Sequence, residues 1–447
     1  MQVTRDGGRR WKNVTPPEMT AWSKVTQIDA SHFDAGTAYV SVSRFRLDDL
    51  TPYVYRTKDG GASWKRITAG LPDDAPVNVV REDPERSGLL FAGTEKGVSV
   101  SFDDGETWQS LRGNLPASSV RDLIVKDGDL VVATHGRSFW ILDDISRLRQ
   151  WTGEAAPGGV QLFRPRRAYR LRRNENTDTP LPPEEPAGQN PPDGAILDYR
   201  LASASASPIT LEVRDGAGRL QRRFSSADAP KPPDANAYPV PAYWFETPET
   251  LSAAAGAHRF VWDLREEPPA ALHRSFPISA IAGETPLVPE GPLVPPGTYT
   301  VTLTAAGASS TQTLAVEMDP RVTATASDLA KQSEAARAVT AALAQDAAAL
   351  DEVRAARAKL AKAKASEKTA ALDAALKDLE DGKEAAGGDL SSEGFRRLNG
   401  RLVTLLEVIE SADAAPTDQA STTLAETQRV LADKLASWKS LRTSLRD

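Results

Sequence analysis

One eight-residue phrase occurs twice in full, as Thr57–Trp64 (TKDGGASW) and Ser101–Trp108 (SFDDGETW). A third copy, Thr4–Trp11 (TRDGGRRW), departs from it only at Arg10. The pattern is hydroxyl, any, Asp, any, Gly, any, hydroxyl, Trp. Such a phrase constrains the backbone more tightly than an ordinary stretch of strand or helix. Its Asp (Asp6, Asp59, Asp103) accepts hydrogen bonds from the amides of its own turn. Its Gly (Gly8, Gly61, Gly105) permits a positive φ that a side chain resists. Its Trp (Trp11, Trp64, Trp108) restarts the chain as a strand, with a ring large enough to wedge between neighbouring sheets. The phrase is a β-hairpin turn, and its first meaning is structural.

The copies also mark a period. Asp6 to Asp59 is 53 residues and Asp59 to Asp103 is 44, close to one blade of a radial β-sheet repeat. A fainter copy places Thr134-His135-Gly136-Arg137 through Asp143-Asp144 over Thr94-Glu95-Lys96-Gly97 through Asp103-Asp104, at an offset of 40 that pairs Asp143 with Asp103. The phrase resembles the Asp-box, or BNR repeat, of sialidases and sortilin-type β-propellers. The resemblance implies the tail of one blade, two whole blades and a degenerate last blade. Propellers close with about four to eight blades, so three and a fraction leave open edges of the kind that invite aggregation. The chain therefore reads as the C-terminal portion of a longer protein, or as a partner completing another chain's ring. The first of these is favoured, with N-terminal blades of the same parent chain as its missing partner.

Bulk properties exclude several functions. The balance of 54 basic against 61 acidic residues gives a net charge of −7, which argues against nucleic acid as a partner, since that needs a concentrated basic face. With no cysteine, disulfides, thiolate metal sites and Cys nucleophiles are out. The four histidines (His32, His135, His258, His273) include no HExxH-like pair, so no metal and no cofactor are expected. No apolar run is long enough to span a bilayer, and no signal peptide opens the chain.

At 447 residues the chain has room for about three domains. Residues 1–150 are dense in short alternating strands and form the partial propeller. The segment after Gln161, LFRPRRAYRL, reads as a strand tying the propeller to the next domain. Residues 160–320 then read as a β-sandwich, with proline-rich loops at 174–194 and 227–241. AGAHRFVWDLR (255–265) and VPPGTYTVTLTAAG (294–307) resemble the Ig-like domain of flagellar hook-capping proteins. From 327 the composition turns to Ala, Leu, Lys, Glu and Arg, and Ser327-Asp328 reads as a helix cap. Apolar residues at helical spacing predict an antiparallel helical bundle over 327–447. The order of parts, ending in SADAAPT (411–417), is similar to the C-terminal half of large exported bacterial BNR-repeat, sortilin-N-terminal-like proteins, often described as glycosyl hydrolases. That resemblance implies a periplasmic or secreted parent.

In such a blade the boxes lie on the third-to-fourth strand turns. The second-to-third strand turns then share the opposite, ligand-facing side: Arg44–Asp49, Glu95–Gly97 and His135–Arg137. Arg44, Arg46, His135 and Arg137 are the candidate ligand-binding residues, a cationic rim suited to a carboxylate or another anionic group. Asp48 and Glu95 are the candidate acid/base carboxylates, since a glycosidase needs two carboxyls about 5 to 9 Å apart. A sialidase additionally requires, as the family comparison implies, an arginine triad and a Tyr–Glu nucleophile pair. Tyr39, Tyr53 and Tyr55 show no Glu partner in the sequence. The reading is a non-catalytic exported scaffold binding protein or glycan. The alternative is a sialidase-like glycoside hydrolase.

Overall fold

Alternation of apolar and polar residues, broken every few positions by Gly, Asp or Pro, builds residues 1–154 from short antiparallel meanders. β1 (Gln2–Val3) and β2 (Lys12–Asn13) form a two-stranded sheet. β3 (Lys24–Ala30), β4 (Ala38–Arg44), β5 (Asp49–Thr57) and β6 (Lys65–Arg66) form a four-stranded sheet in chain order. β7 (Val77–Glu82), β8 (Leu90–Thr94), β9 (Gly97–Ser101) and β10 (Gln109–Ser110) repeat it. β11 (Ser119–Lys126), β12 (Asp129–His135) and β13 (Phe139–Leu142) make a three-stranded version, followed by the short helix α1 (Ser146–Gln150) instead of a fourth strand. The computed structural model describes residues 1–154, 156–172, 178–230, 233–234, 236–279, 281–362, 366–383 and 390–444. They divide into two compact units, Met1–Glu154 and Ala155–Asp447.

Successive sheets pack face to face in a propeller-like stack. Met1 and Trp64 pack with Val40, Val42 and Tyr55 between the first two sheets. Tyr39, Val54 and Ile67 meet Val80, Leu90 and Trp108 between the next two. Phe91, Val98 and Val100 meet Val120, Leu123 and Val132 at the last junction.

The three boxes have the same internal geometry. The leading hydroxyl accepts the Gly amide at 2.8–2.9 Å (Thr4–Gly8, Thr57–Gly61, Ser101–Gly105). The Asp carboxylate accepts the amide four residues on at 2.8–2.9 Å (Asp6–Arg10, Asp59–Ser63, Asp103–Thr107). The Ser63 hydroxyl and amide, with help from Thr57, hold the Asp59 carboxyl down at about 2. Gly61 and Gly105 take φ of +85° and +84°, and a Cβ on either would stand 2.6 Å from Val14 or 2.4 Å from Ile67 in the preceding sheet. The same two residues receive the tryptophans: Trp64 Nε1 donates to the Val14 carbonyl at 2.7 Å and Trp108 Nε1 to the Ile67 carbonyl at 2.9 Å. In each inner box the Gly and the Trp thus meet the same residue of the preceding repeat, Val14 or Ile67.

The fainter last copy differs from the offset of 40. Ser101 stands opposite Leu90 in the ladder, but Leu142 stands opposite Leu130. The turn before β13 therefore carries one extra residue, and Asp144, not Asp143, takes the ladder place of Asp103. Asp144 accepts the Ser146 amide two residues on, so the turn is shorter than a box and leads directly into α1.

In the second unit, β14 (Val160–Leu162), β15 (Ala168–Arg170), β16 (Ala195–Leu201), β17 (Thr210–Arg214), β18 (Leu220–Ser225), β19 (Gly256–Trp262), β20 (Gly297–Ala305) and β21 (Ala308–Met318) form two sheets, ordered β14-β16-β19 and β15-β21-β20-β17-β18. Their facing sides share one core that includes Tyr199, Phe260, Trp262, Val301 and Leu314. The LFRPRRAYRL segment is two strands rather than one: β14 and β15 lie in different sheets, with Pro165 between them. Residues 174–177, 231–232 and 235 of the expected proline-rich loops lie outside the described residues.

Helices α2 (Ala326–Leu360), α3 (Glu367–Asp381), α4 (Phe395–Glu410) and α5 (Asp418–Ser444) share a second core around Leu343, Leu350, Leu402 and Leu431. The cap of α2 is Thr325, not Ser327: its hydroxyl accepts the Asp328 amide at 3.2 Å while the Asp328 carboxylate accepts the Thr325 amide at 3.1 Å. That reciprocal pair is a capping box, with the acid at the third helical position.

Candidate functional site

The turns β4–β5, β8–β9 and β12–β13 project from the ends of their sheets opposite the boxes. At the first, Arg44 is committed to its own hairpin. Its Nε lies 3.3 Å from the Asp49 carboxylate, its Nη1 donates to the Tyr53 hydroxyl at 3.0 Å, and that hydroxyl donates to Asp49 at 2.8 Å. Burial works against ionisation of Asp49, but the Thr51 and Tyr53 hydroxyls hold its carboxyl below the usual range. Arg46 is exposed at the tip, 5.8 Å from the Phe45 ring centre. Asp48 is exposed with φ +59°, where its amide donates to the Phe45 carbonyl at 3.1 Å and closes the turn.

At the second turn, Glu95 accepts from Asn78 Nδ2 at 3.0 Å and pairs with Arg121 at 3.1 Å. Lys96 pairs with Asp74. At the third, His135 and Arg137 are exposed, and the backbone is fixed by Arg137 N–H donating to Thr134 Oγ1 and Trp140 Nε1 donating to the Arg137 carbonyl. The candidate residues are therefore spread over three sheets. Among the described residues, no hydrogen bond or ion pair joins Asp48 to Glu95.

The structure does supply a Tyr–Glu contact that sequence reasoning missed. The Tyr39 hydroxyl lies 3.2 Å from Glu82 and 2.7 Å from Asp104, both on the next sheet. Glu82 in turn accepts from Ser31 and from the amides of His32 and Gly88. Arg56 and Lys58 close the network on Asp104, at 2.8 and 2.7 Å. Tyr39 is 1% exposed. Burial first, then the two carboxylates, push its phenol far up, so it stays protonated. This is the reverse of what activates a nucleophile, and the network serves as an inter-sheet tie.

A second polar centre missed from sequence lies between β15 and the helices. Arg170, 1% exposed, donates Nε and Nη2 to Asp413 at 3.0 and 2.8 Å and Nη2 to Gln332 at 2.8 Å, while Nη1 donates to the carbonyls of Leu293 and Val294. Its signal was the alternation of β15, which puts Arg170 on the same inward side as Ala168. One further carboxyl is held up by burial: Asp346 on α2, which reaches about 7. Two cavities, of about 190 and 500 Å³, are lined by helical residues and the α4–α5 connection, including Gln345 with Leu431 and Arg397 with Thr423. Among the described residues no group of three or more His, Asp or Glu is placed to hold a metal, and no helix is long and apolar enough to cross a membrane.

No family model matches this chain, and no curated protein matches it. Among solved structures it is similar to YCF48 bound to a D1 peptide, at 15% identity and a TM-score of 0.26, over 49% of this chain and 59% of that one. It is also similar to a GH74 xyloglucanase from Xanthomonas campestris, at 14% identity and a TM-score of 0.26, over 69% and 57%. A GH74 enzyme from Niastella koreensis gives 11% identity and a TM-score of 0.23, over 65% and 46%. The chain thus spans less than two thirds of each of these structures, and likenesses this weak bear on neither ligand nor activity.

Proposed function

We propose that the chain is a non-catalytic recognition scaffold, an exported partial β-propeller of the Asp-box, sortilin-like kind. It presents its b–c turns (β4–β5, β8–β9, β12–β13) to a protein or glycan ligand. An Ig-like sandwich and an antiparallel helical bundle accompany it, and the parent is periplasmic or secreted. The observation that supports this most is the state of the carboxylates around those turns. Glu95 is tied to Arg121 and Asn78, Asp49 to Arg44 and Tyr53, and Asp74 to Lys96. Hydrolysis of a glycoside needs one protonated and one ionised carboxyl converging on the same bond, and these acids are spent on holding turns. Tyr39, with Glu82 beside it, is locked inside the stack. The exposed tips leave Arg46, His135 and Arg137 to meet an anionic group, with Arg44 positioning its hairpin.

The test combines turnover and binding. Aryl-glycosides are incubated with the wild type and with Asp48→Asn/Glu95→Gln, and sialylated oligosaccharides and carboxylate-ended peptides are titrated against the wild type and Arg46→Ala/His135→Ala/Arg137→Ala. The scaffold reading expects no turnover, and binding that the triple substitution weakens by about tenfold or more. Turnover abolished by the carboxylate pair would establish the glycoside hydrolase instead.

A further inference from the structure

The last sheet of the first unit lacks the strand that completes its two predecessors. β6 pairs antiparallel with β5 (Tyr55 opposite Arg66, Arg56 opposite Lys65), and β10 with β9 (Ser99 opposite Ser110, Val100 opposite Gln109). The pairing runs one residue further, where the Val54 and Val98 carbonyls accept the Ile67 and Leu111 amides, each at 2.9 Å. By ladder position Phe139 stands where Val54 and Val98 do, and Ile141 where Arg56 and Val100 do. Among the described residues no strand pairs with β13 on that side. The backbone there is presented for pairing. The Ser138 carbonyl accepts the Thr134 amide at 3.1 Å, so Ser138 and Trp140 turn their backbone groups toward β12. Phe139 and Ile141, in alternation, turn their N–H and C=O groups to the open edge.

The chain's own continuation is held elsewhere. After the short turn at Asp144, the Ile145 amide donates to the Gly128 carbonyl at 2.9 Å, Leu148 enters the core, and Arg149 pairs with Asp83 at 3.0 Å. An edge of unpaired amides and carbonyls is a template for an added strand. Side chains indicate the chemistry of that strand. At the place of Ile141 the completed sheets set Arg56 against Lys65 and Val100 against Gln109. β13 (FWIL) has no charge, and its Phe139 and Ile141 are 74% and 56% exposed. Apolar residues directly opposite these two favour pairing. The residue between them, opposite Trp140, is free to be polar, as its exposed counterparts Arg66 and Ser110 are.

We propose that the outer edge of β13 is a docking site for an extended segment of another protein. The segment adds antiparallel as the fourth strand of the last sheet, with apolar side chains opposite Ile141 and Phe139 and a polar one between them. Main-chain hydrogen bonds to Phe139 and Ile141 hold it, and the two apolar positions select it. The fourth strands of this same chain, Lys65–Ile67 and Gln109–Leu111, are the pattern for its register.

The probe is a fluorescent synthetic peptide copying Glu106–Gly113 with Gln109→Val, titrated against the full chain and followed by anisotropy. It sets Val opposite Ile141 and Leu opposite Phe139. Saturable binding with a dissociation constant below about 1 mM is expected. Methylating the peptide amide at the Leu111 place removes a donor that faces the edge, as proline would, and weakens binding by about tenfold or more. Methylation at the Ser110 place, whose amide faces away, leaves it within about twofold. Phe139→Thr/Ile141→Thr, which keeps strand-favouring residues, weakens it by about tenfold or more, with an unchanged circular dichroism spectrum. No binding at about 1 mM, or equal losses from the two methylations, overturns the proposal. So does binding indifferent to the two threonines, which would place the peptide on another sheet. A chain that sediments at twice 48.0 kDa and excludes the peptide overturns it as well, since a second copy would then hold the edge.

Discussion

Asp346 gives the sharpest energetic prediction. It lies on the buried side of α2 with no exposed surface. One oxygen accepts from Asn399 Nδ2 at 3.0 Å and the other, Oδ1, has no partner. Asn399 is engaged on its far side by the Leu272 amide at 2.9 Å, so it cannot turn to offer more. Burial raises the carboxyl from 3.8 to about 7, with the Asn399 bond working against it. The folded chain therefore keeps this proton while the unfolded chain loses it. The stabilisation is complete below pH 3.8 and is lost as pH rises to about 7, after which both states are ionised. Each pH unit in that window is worth about 1.4 kcal/mol, so the full loss is on the order of 4 kcal/mol. Asp346→Asn removes the titration but leaves an amide donor without a partner, which costs about 1–3 kcal/mol. At pH 8 the variant is expected to be the more stable by about 1–3 kcal/mol, and at pH 4 the less stable. Urea unfolding followed at 222 nm, where the helices α2–α5 dominate, at pH 4, 6 and 8 checks this. Parallel pH profiles for the two proteins would refute the buried-acid reasoning.

Two further outcomes rest on the packing. Gly105→Ala forces a side chain into φ +84° and 2.4 Å from Ile67, so it is expected to destabilise the first unit by about 2 kcal/mol or more by thermal unfolding. Gly8→Ala carries the φ strain alone and costs less. Arg170→Ala leaves the buried Asp413 carboxylate to Arg172 alone, whose Nε donates to it at 2.9 Å, and leaves the Gln332 amide oxygen without its donor, at an expected cost of about 1–3 kcal/mol in urea unfolding of the second unit, whereas Arg167→Ala at an exposed pair with Glu317 changes it by less than about 1 kcal/mol.

The boxes were legible in the sequence because every position in the phrase does a separate backbone job, and Asp6, Asp59 and Asp103 all do it. The strands were legible wherever apolar residues alternate, as in β16 and β20. The slip at Asp143 was not, since one residue added to a turn moves the ladder without changing the composition around it. Contacts across sheets were equally hidden: nothing local to Tyr39 announces Glu82, 43 residues on, or Asp104. Asp346 did leave a trace. It interrupts the helical apolar series Val339, Leu343, Leu350, Val353 at a position facing the core, where a polar residue needs a reason.

The account rests on each box tryptophan holding its sheet against the preceding one, and Trp108 and Trp11 separate that role from the mere presence of the motif. Trp108 is 4% exposed and bonded to Ile67, whereas Trp11 is 60% exposed and bonded to its own loop. Thermal unfolding of dilute Trp108→Ala and Trp11→Ala protein is the direct comparison. The predicted result is a loss of about 3–5 kcal/mol for the first and within about 0.5 kcal/mol of wild type for the second. Equal losses would contradict it, because the tryptophan would then be serving its own turn and not the stacking of sheets.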